Sequence, residues 1–160
     1  MQTERHAFSH GRAAAAAPFL VVALSAIVAG GLVAAVTAHA PSRALVWMIA
    51  YLVLVVGVAQ AALGAGQAWL ATSAPSARLV TLQCLLFNLG SAGVIAGTLM
   101  ASAPWVTSGT AVFAVALLLF LAGTRGARTG GLSIVYRIGL GLLALGATVG
   151  VTLSLLRTLA

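Results

Sequence analysis

Residues 44–70 read ALVWMIAYLVLVVGVAQAALGAGQAWL, a stretch with no charged side chain. As an α-helix rising about 1.5 Å per residue, it would be about 40 Å long, so it would tilt in, or project beyond, a hydrocarbon core about 30 Å thick. Runs of 18 or more apolar residues are typical of transmembrane helices. Four further runs are long and mainly apolar, at about 13–37, 79–101, 105–123 and 133–159. The sequence therefore predicts an all-α, polytopic integral membrane bundle of about five transmembrane helices.

The composition supports lipid rather than water as the solvent. The chain is 62% hydrophobic and 6% charged, with a mean hydropathy of +1.15, whereas soluble domains are about a quarter charged. A very apolar soluble bundle is the alternative, but the length of the runs disfavours it. The runs lack the alternation of apolar and polar residues that is typical of membrane β-strands. Within one such segment, only a helix gives every backbone group a hydrogen-bond partner.

The N-terminal region has two interpretations. Residues 1–12 (MQTERHAFSHGR) are polar and are predicted to be a cytoplasmic tail, with residues 13–160 forming a single transmembrane domain. Arg5 and Arg12, the apolar run and the A-x-A pattern at residues 38–40 together resemble a secretory signal. The run is longer than a signal core, however, and Pro41 would follow the cut. We expect an uncleaved first helix, with removal as a signal peptide as the alternative.

The arginines stand singly at the ends of the apolar runs, and the chain has no lysine. In a soluble protein the net charge of +7 would indicate nucleic-acid binding. Because the arginines lie at the ends of apolar runs, the positive charge is better explained by membrane topology and by contacts with lipid headgroups. We therefore expect no nucleic-acid partner. An N-in/C-out orientation places six arginines inside and two outside, namely Arg5, Arg12, Arg78, Arg125, Arg128 and Arg137 inside and Arg43 and Arg157 outside. Arginine in place of lysine, beside abundant Ala, Gly and Val, fits a GC-rich bacterial genome and hence the bacterial cytoplasmic (inner) membrane.

The residues needed for catalysis or metal binding are absent from the apolar runs. The runs contain no Asp, Glu, Lys or His, although proton-coupled carriers and pumps place an ionisable group at depth. Glu4 is the only acidic side chain. The chain therefore has too few carboxylates for a mechanism with paired carboxylates or with a carboxylate-bound metal. His6, His10 and His39 lie at the edges, and Cys84 has no second cysteine. We expect no enzymatic activity, no catalytic residue, no cofactor and no metal.

Four uncharged amides are the candidate site. Gln60 and Gln67 are seven residues apart on helix two and share one face, and Gln83 and Asn88 lie on helix three. A short turn makes these helices antiparallel neighbours, so Gln67 and Gln83 fall in one layer, and Gln60 and Asn88 near the midplane. The first interpretation is packing, because interhelical bonds of this kind contribute about 0.6 kcal/mol. The second is a polar pocket or path for a neutral hydrogen-bonding solute.

Aromatic residues near the run ends are predicted to anchor the bundle at the lipid–water interfaces. Trp and Tyr favour the headgroup level, and Trp47 and Trp69 are separated by about 33 Å of helix. Packing of both tryptophan rings against neighbouring helices is the alternative. The predicted anchors are Trp47 and Trp105 outside and Trp69 and Tyr136 inside.

Partners are predicted from charge and from small residues. Arg125 and Arg128 lie in the glycine-rich loop 124–131 (TRGARTGG) and are predicted to contact anionic lipid headgroups at about 1 kcal/mol each. Small residues recur four apart, which lets helix backbones approach closely, at Ala26 and Gly30, Gly93 and Gly97, and Gly146 and Gly150. They indicate either tight internal packing or docking onto another membrane subunit.

These observations favour a non-enzymatic integral membrane protein, such as an accessory or scaffold subunit of a membrane complex. The alternative is a small transporter, channel or ligand-binding membrane protein for a neutral polar solute. That protein would use the amide-lined path between helices two and three.

Overall fold

The computed structural model describes residues 2–127 and 130–159, with side chains described for residues 11–127 and 130–156. Its secondary structure consists of helices: α1 (Gln2–Thr37), α2 (Arg43–Leu70), α3 (Ala77–Leu99), α4 (Ala103–Gly123) and α5 (Gly131–Leu159). Each is long and apolar enough to cross a membrane, and no strand occurs in the described ranges. The prediction of an all-α chain with five such helices is confirmed.

Helix α1 begins at Gln2, so most of the predicted polar tail (residues 1–12) continues the helix. Two features explain this extension. The alanine run at residues 13–17 has high helix propensity. The guanidinium of Arg12 donates hydrogen bonds to the carbonyl oxygens of Trp69 (3.1 Å) and Ala71 (3.0 Å), which attaches this part of α1 to the end of α2.

Short connections between the helices define two ends of the bundle. Arg12 and the α2–α3 turn at residues 71–76 lie at one end, which we call the Arg12 end. The opposite end, called the Arg43 end, contains the α1–α2 turn at residues 38–42 and the α3–α4 turn at residues 100–102. Serine caps begin two of the helices, because the hydroxyls of Ser42 and Ser76 accept backbone N–H groups at the starts of α2 and α3.

The helices pack mainly as two pairs, α1 with α2 and α3 with α4, and α5 rests on α4. Glycine permits backbone contact in the second pair. A Cβ on Gly90 would lie 2.5 Å from the Phe113 nitrogen, and one on Gly97 would lie 2.5 Å from the Val106 nitrogen. Two of the predicted small-residue pairs, Ala26 with Gly30 and Gly93 with Gly97, therefore lie in contacts within this chain.

An aromatic cluster forms the centre of the bundle. Phe19 of α1 packs against Phe120 of α4 with ring centroids 5.3 Å apart, and Phe87 of α3 packs against Phe113 of α4 at 4.8 Å. Phe87 also meets Phe120 edge-on at 6.3 Å. Since the rings come from α1, α3 and α4, the cluster joins the two helix pairs.

Helix α2 is not uniform. Its middle, Leu52–Ala59, is π-helical, between α-helical segments at Arg43–Tyr51 and Gln60–Leu70. The π-helical segment lies against α1, where a Cβ on Gly57 would come within 2.5 Å of the Ile27 side chain. Such segments are rare and often mark functional sites.

Candidate functional site

Gln67 and Gln83 form a buried amide pair between α2 and α3. The Nε2 of Gln83 donates to the Oε1 of Gln67 at 2.9 Å, and both side chains are buried. The structure thus brings together the two amides that the sequence placed in one layer.

Gln60 and Asn88 do not meet each other. The Nε2 of Gln60 and the Nδ2 of Asn88 each lie 3.7 Å from the sulfur of Cys84, and Asn88 also donates to the Cys84 carbonyl at 2.8 Å. Asn88 therefore bonds within its own helix, the i to i−4 pattern that short polar side chains adopt in helices. The sequence analysis did not predict these contacts of Cys84 with the amides. The position of Cys84 four residues before Asn88 was the available signal.

The amide layer contains more hydrogen-bonding capacity than the protein uses. Among the described residues, no hydrogen-bond partner reaches Oε1 of Gln60, Nε2 of Gln67 or Oε1 of Gln83. The Gln67 amide lies against Gly123 of α4, where an added Cβ would be 2.5 Å from its Nε2. The three glutamines are 0–1% exposed, so this layer is closed in the structure.

Tyr136 joins α5 to α2 near the amide layer. Its hydroxyl donates to the Leu63 carbonyl at 3.4 Å, and its ring occupies the space beside Gly66, where a Cβ would lie 2.7 Å from Cδ2. The side chain is 7% exposed. The tyrosine predicted as an interface anchor is thus a contact inside the bundle.

The three tryptophans differ in their surroundings. Trp69 and Trp105 are 74% and 54% exposed, on α2 at the Arg12 end and on α4 at the Arg43 end. Trp47 is half-buried and packs against Tyr51 of its own helix, with ring centroids 5.2 Å apart, and the anchoring of the tryptophans at the interfaces stays a prediction. The lipid contacts of the loop stay predictions: Arg125 is exposed, and Arg128 lies outside the described residues.

A cleft of about 680 Å³ opens at the Arg43 end between α2 and α5, with α3 and α4 also lining it. Near the Arg12 end α5 packs on α2 through Tyr136 and Gly66, whereas the cleft lies between the two helices at the Arg43 end. Farther along α5, Gly146 and Gly150 line the cleft, and a Cβ on either would meet nothing within 4 Å. The third predicted small-residue pair therefore lies in the cleft and not in a contact between helices of this chain.

The lining of the cleft is amphipathic. Among the described residues that line the cleft, Arg43, the first residue of α2, is the one that carries a charge, and Trp47 and Tyr51 follow one and two turns farther along. Thr98, Thr110 and Ser154 add hydroxyls, and the rest is mainly apolar: Val55, Val94, Val106, Phe113, Leu142 and Leu143. Such a lining suits a ligand with a polar end and an apolar body.

Nothing in the described side chains indicates a metal centre, since no group of three or more His, Cys, Asp or Glu side chains lies together there. The candidate sites are therefore the closed amide layer and the cleft. Comparisons of the chain with protein-family models, curated proteins and solved structures find no match.

Proposed function

We propose that the chain is a non-enzymatic integral membrane protein that binds a membrane-soluble small molecule in the cleft between α2 and α5. The observation that carries this proposal is the cleft itself, about 680 Å³ and mainly apolar. Its volume is in the usual range for ligand pockets, about 300–1,000 Å³. The proposed location is the bacterial cytoplasmic membrane, with the N-terminus inside.

The distribution of polarity supports the membrane location. Soluble proteins bury apolar side chains and expose polar ones. In this chain the fully buried side chains include three glutamines, whereas Val36 is 71% exposed and Leu32 63% exposed. An apolar exterior around a polar layer is stable in lipid, where an unpaired amide on the outside would be costly.

Access to the cleft supports a ligand drawn from the bilayer. Leu142 and Leu153 line the cleft and are 64% and 54% exposed. The cleft is therefore continuous with the apolar outer surface of α5. The amide-lined path receives less support, because Gln60, Gln67 and Gln83 are closed off from both the surface and the cleft.

An accessory or scaffold subunit is the second candidate. The observation in its favour is that α5 is the least covered of the five helices. Gly139 and Gly141, like Gly146 and Gly150, have nothing within 4 Å of an added Cβ. Small residues with free space beside them allow close approach of a partner helix.

The test is retention of a ligand by the protein purified in mild detergent. Native mass spectrometry of the wild-type protein should show a bound small molecule. Gly146→Leu should lose it, because the new side chain enters the cleft. Gly141→Leu is the matched control, since Gly141 is on the same helix but outside the cleft lining, and it should keep the ligand. Equal occupancy in all three proteins, or a second polypeptide and no small molecule, would contradict the proposal.

A further inference from the structure

We infer that the molecule bound in the cleft is an anionic lipid of the bilayer, with its headgroup at Arg43 and one acyl chain along the cleft. This inference rests on the function proposed above. It adds the charge of the ligand, its orientation and the residue that selects it.

The charge of Arg43 is the first argument. Arg43 is exposed at the mouth of the cleft, and no acidic side chain lies among the described side chains. The only acidic side chain of the sequence, Glu4, is near the start of α1, about 50 Å from the α1–α2 turn by helix rise. The positive charge at the cleft is therefore not balanced by a carboxylate side chain.

The position of Arg43 on its helix is the second argument. A helix N-terminus carries a partial positive charge, so an arginine there is unfavourable by itself and an anion is favoured. Ser42 caps α2 with its hydroxyl at this point, 3.2 Å from the Leu45 nitrogen. An anion at the mouth of the cleft would interact favourably with both the guanidinium and the helix end.

The order of residues along the cleft is the third argument. Arg43, Trp47, Tyr51 and Val55 all line it, spaced four residues apart, and cover about 18 Å of helix. The sequence changes from a cation through two amphipathic rings to an aliphatic side chain. One leaflet changes in the same order from headgroup to midplane, over about half of a 30 Å hydrocarbon core.

Other ligands use only part of this lining. A free anion such as phosphate would contact Arg43 and leave the apolar walls unoccupied. A neutral lipid would fill the walls and leave the guanidinium without an anion. An arginine near a membrane surface attracts anionic lipid by about 1 kcal/mol, which corresponds to about a fivefold preference over a zwitterionic lipid of the same chains.

Trp47 provides a direct readout, because it lines the cleft whereas Trp69 and Trp105 do not. In a protein with Trp69→Phe and Trp105→Phe, Trp47 is the only fluorescent tryptophan of the chain. The protein is placed in phosphatidylcholine nanodiscs containing increasing fractions of brominated phosphatidylglycerol or brominated phosphatidylcholine. We expect half-maximal quenching of Trp47 at an about fivefold lower fraction of the anionic lipid.

Three further variants in this background separate the inference from the proposed function. The measured preference is the fraction of brominated phosphatidylcholine that gives half-maximal quenching, divided by the corresponding fraction of brominated phosphatidylglycerol. Arg43→Gln should bring this ratio to about one. Arg78→Gln, the matched control at the Arg12 end, should leave it at about five. Gly146→Leu should weaken quenching by both lipids.

The failures are also distinct. If Gly146→Leu weakens quenching while Arg43→Gln leaves the preference unchanged, the cleft binds lipid and the inference about the headgroup is wrong. If Gly146→Leu changes nothing, lipid is not in the cleft and the whole inference is wrong, whereas the proposed function fails only if the purified protein also retains no small molecule that Gly146→Leu removes. Restoration of fluorescence by millimolar inorganic phosphate would show a site for a free anion and would also overturn the inference. Circular dichroism of each variant checks that the helices remain folded.

Discussion

The Nε2 of Gln83 and the Oε1 of Gln67, 2.9 Å apart, connect the two tightly packed helix pairs of the bundle. Gln67 belongs to the pair α1–α2 and Gln83 to the pair α3–α4. Glycines bring the backbones of α3 and α4 together and accommodate side chains between α1 and α2, whereas this contact between the pairs is made by two side chains. The hydrogen bond between the two side-chain amides therefore lies where the bundle depends least on backbone packing.

Replacing one amide of this pair should lower the free energy of unfolding more than replacing both. Gln67→Leu leaves the Gln83 amide buried without its partner, which costs about 1–3 kcal/mol. The double variant Gln67→Leu, Gln83→Leu removes both polar groups and should recover most of the loss. Unfolding of the four proteins in detergent gives the coupling energy, which should exceed the loss of either single variant and so be at least about 1 kcal/mol. Additive losses would show that the two amides do not stabilise each other.

Gly90→Ala should destabilise the bundle through the α3–α4 contact. The new Cβ would lie 2.5 Å from the Phe113 nitrogen and 2.8 Å from its Cα, and backbone atoms cannot move aside without separating the helices. We expect a loss of about 1–3 kcal/mol. Gly139→Ala is the control, because it has nothing within 4 Å and gains helix propensity of up to about 1 kcal/mol. Thermal unfolding in one detergent compares the two, and equal midpoints would contradict the close contact.

The sequence contains strong information about the axial position of residues and little about their lateral arrangement. Counting from the α2–α3 turn was enough to place Gln67 and Gln83 in one layer, because helix rise is constant. The positions of Tyr136 and Gly146 depend instead on which helices are neighbours. Apolar residues cover the helices on nearly every side, so hydrophobic periodicity does not identify a buried face.

The features missed by sequence reasoning have local physical causes. The π-helical segment Leu52–Ala59 reads as an ordinary apolar run, since its residues form either helix type. Arg12 was interpreted through its charge alone, in the signal-like pattern and in the topology, but its guanidinium reaches the carbonyls that end α2. The cleft has no motif of its own, because it results from the divergence of α5 from α2.

Loss of the Arg12 contact should loosen the end of α2. The guanidinium donates to the carbonyls of Trp69 and Ala71, which lie at the α2 C-terminus, where a cation is also favoured by the helix dipole. Arg12→Gln should therefore raise hydrogen exchange in the last turn of α2 by about fivefold, corresponding to about 1 kcal/mol. Arg12→Lys should give an intermediate rate because it lacks the forked donor. Arg125→Gln is the control, and a rate equal to that of Arg12→Gln would argue against a specific contact.

Cysteine labelling in intact bacterial cells tests the N-in/C-out orientation. His39 in the α1–α2 turn and Ser73 in the α2–α3 turn are both exposed, at opposite ends of the bundle. In a Cys84→Ala background the chain has no other cysteine, so each of His39→Cys and Ser73→Cys carries one thiol. The positive-inside bias places Ser73 with most of the arginines. A membrane-impermeant maleimide should therefore label residue 39 in intact cells and residue 73 only after lysis. The reverse pattern would establish N-out, and labelling of both in intact cells would show that α2 does not cross the membrane.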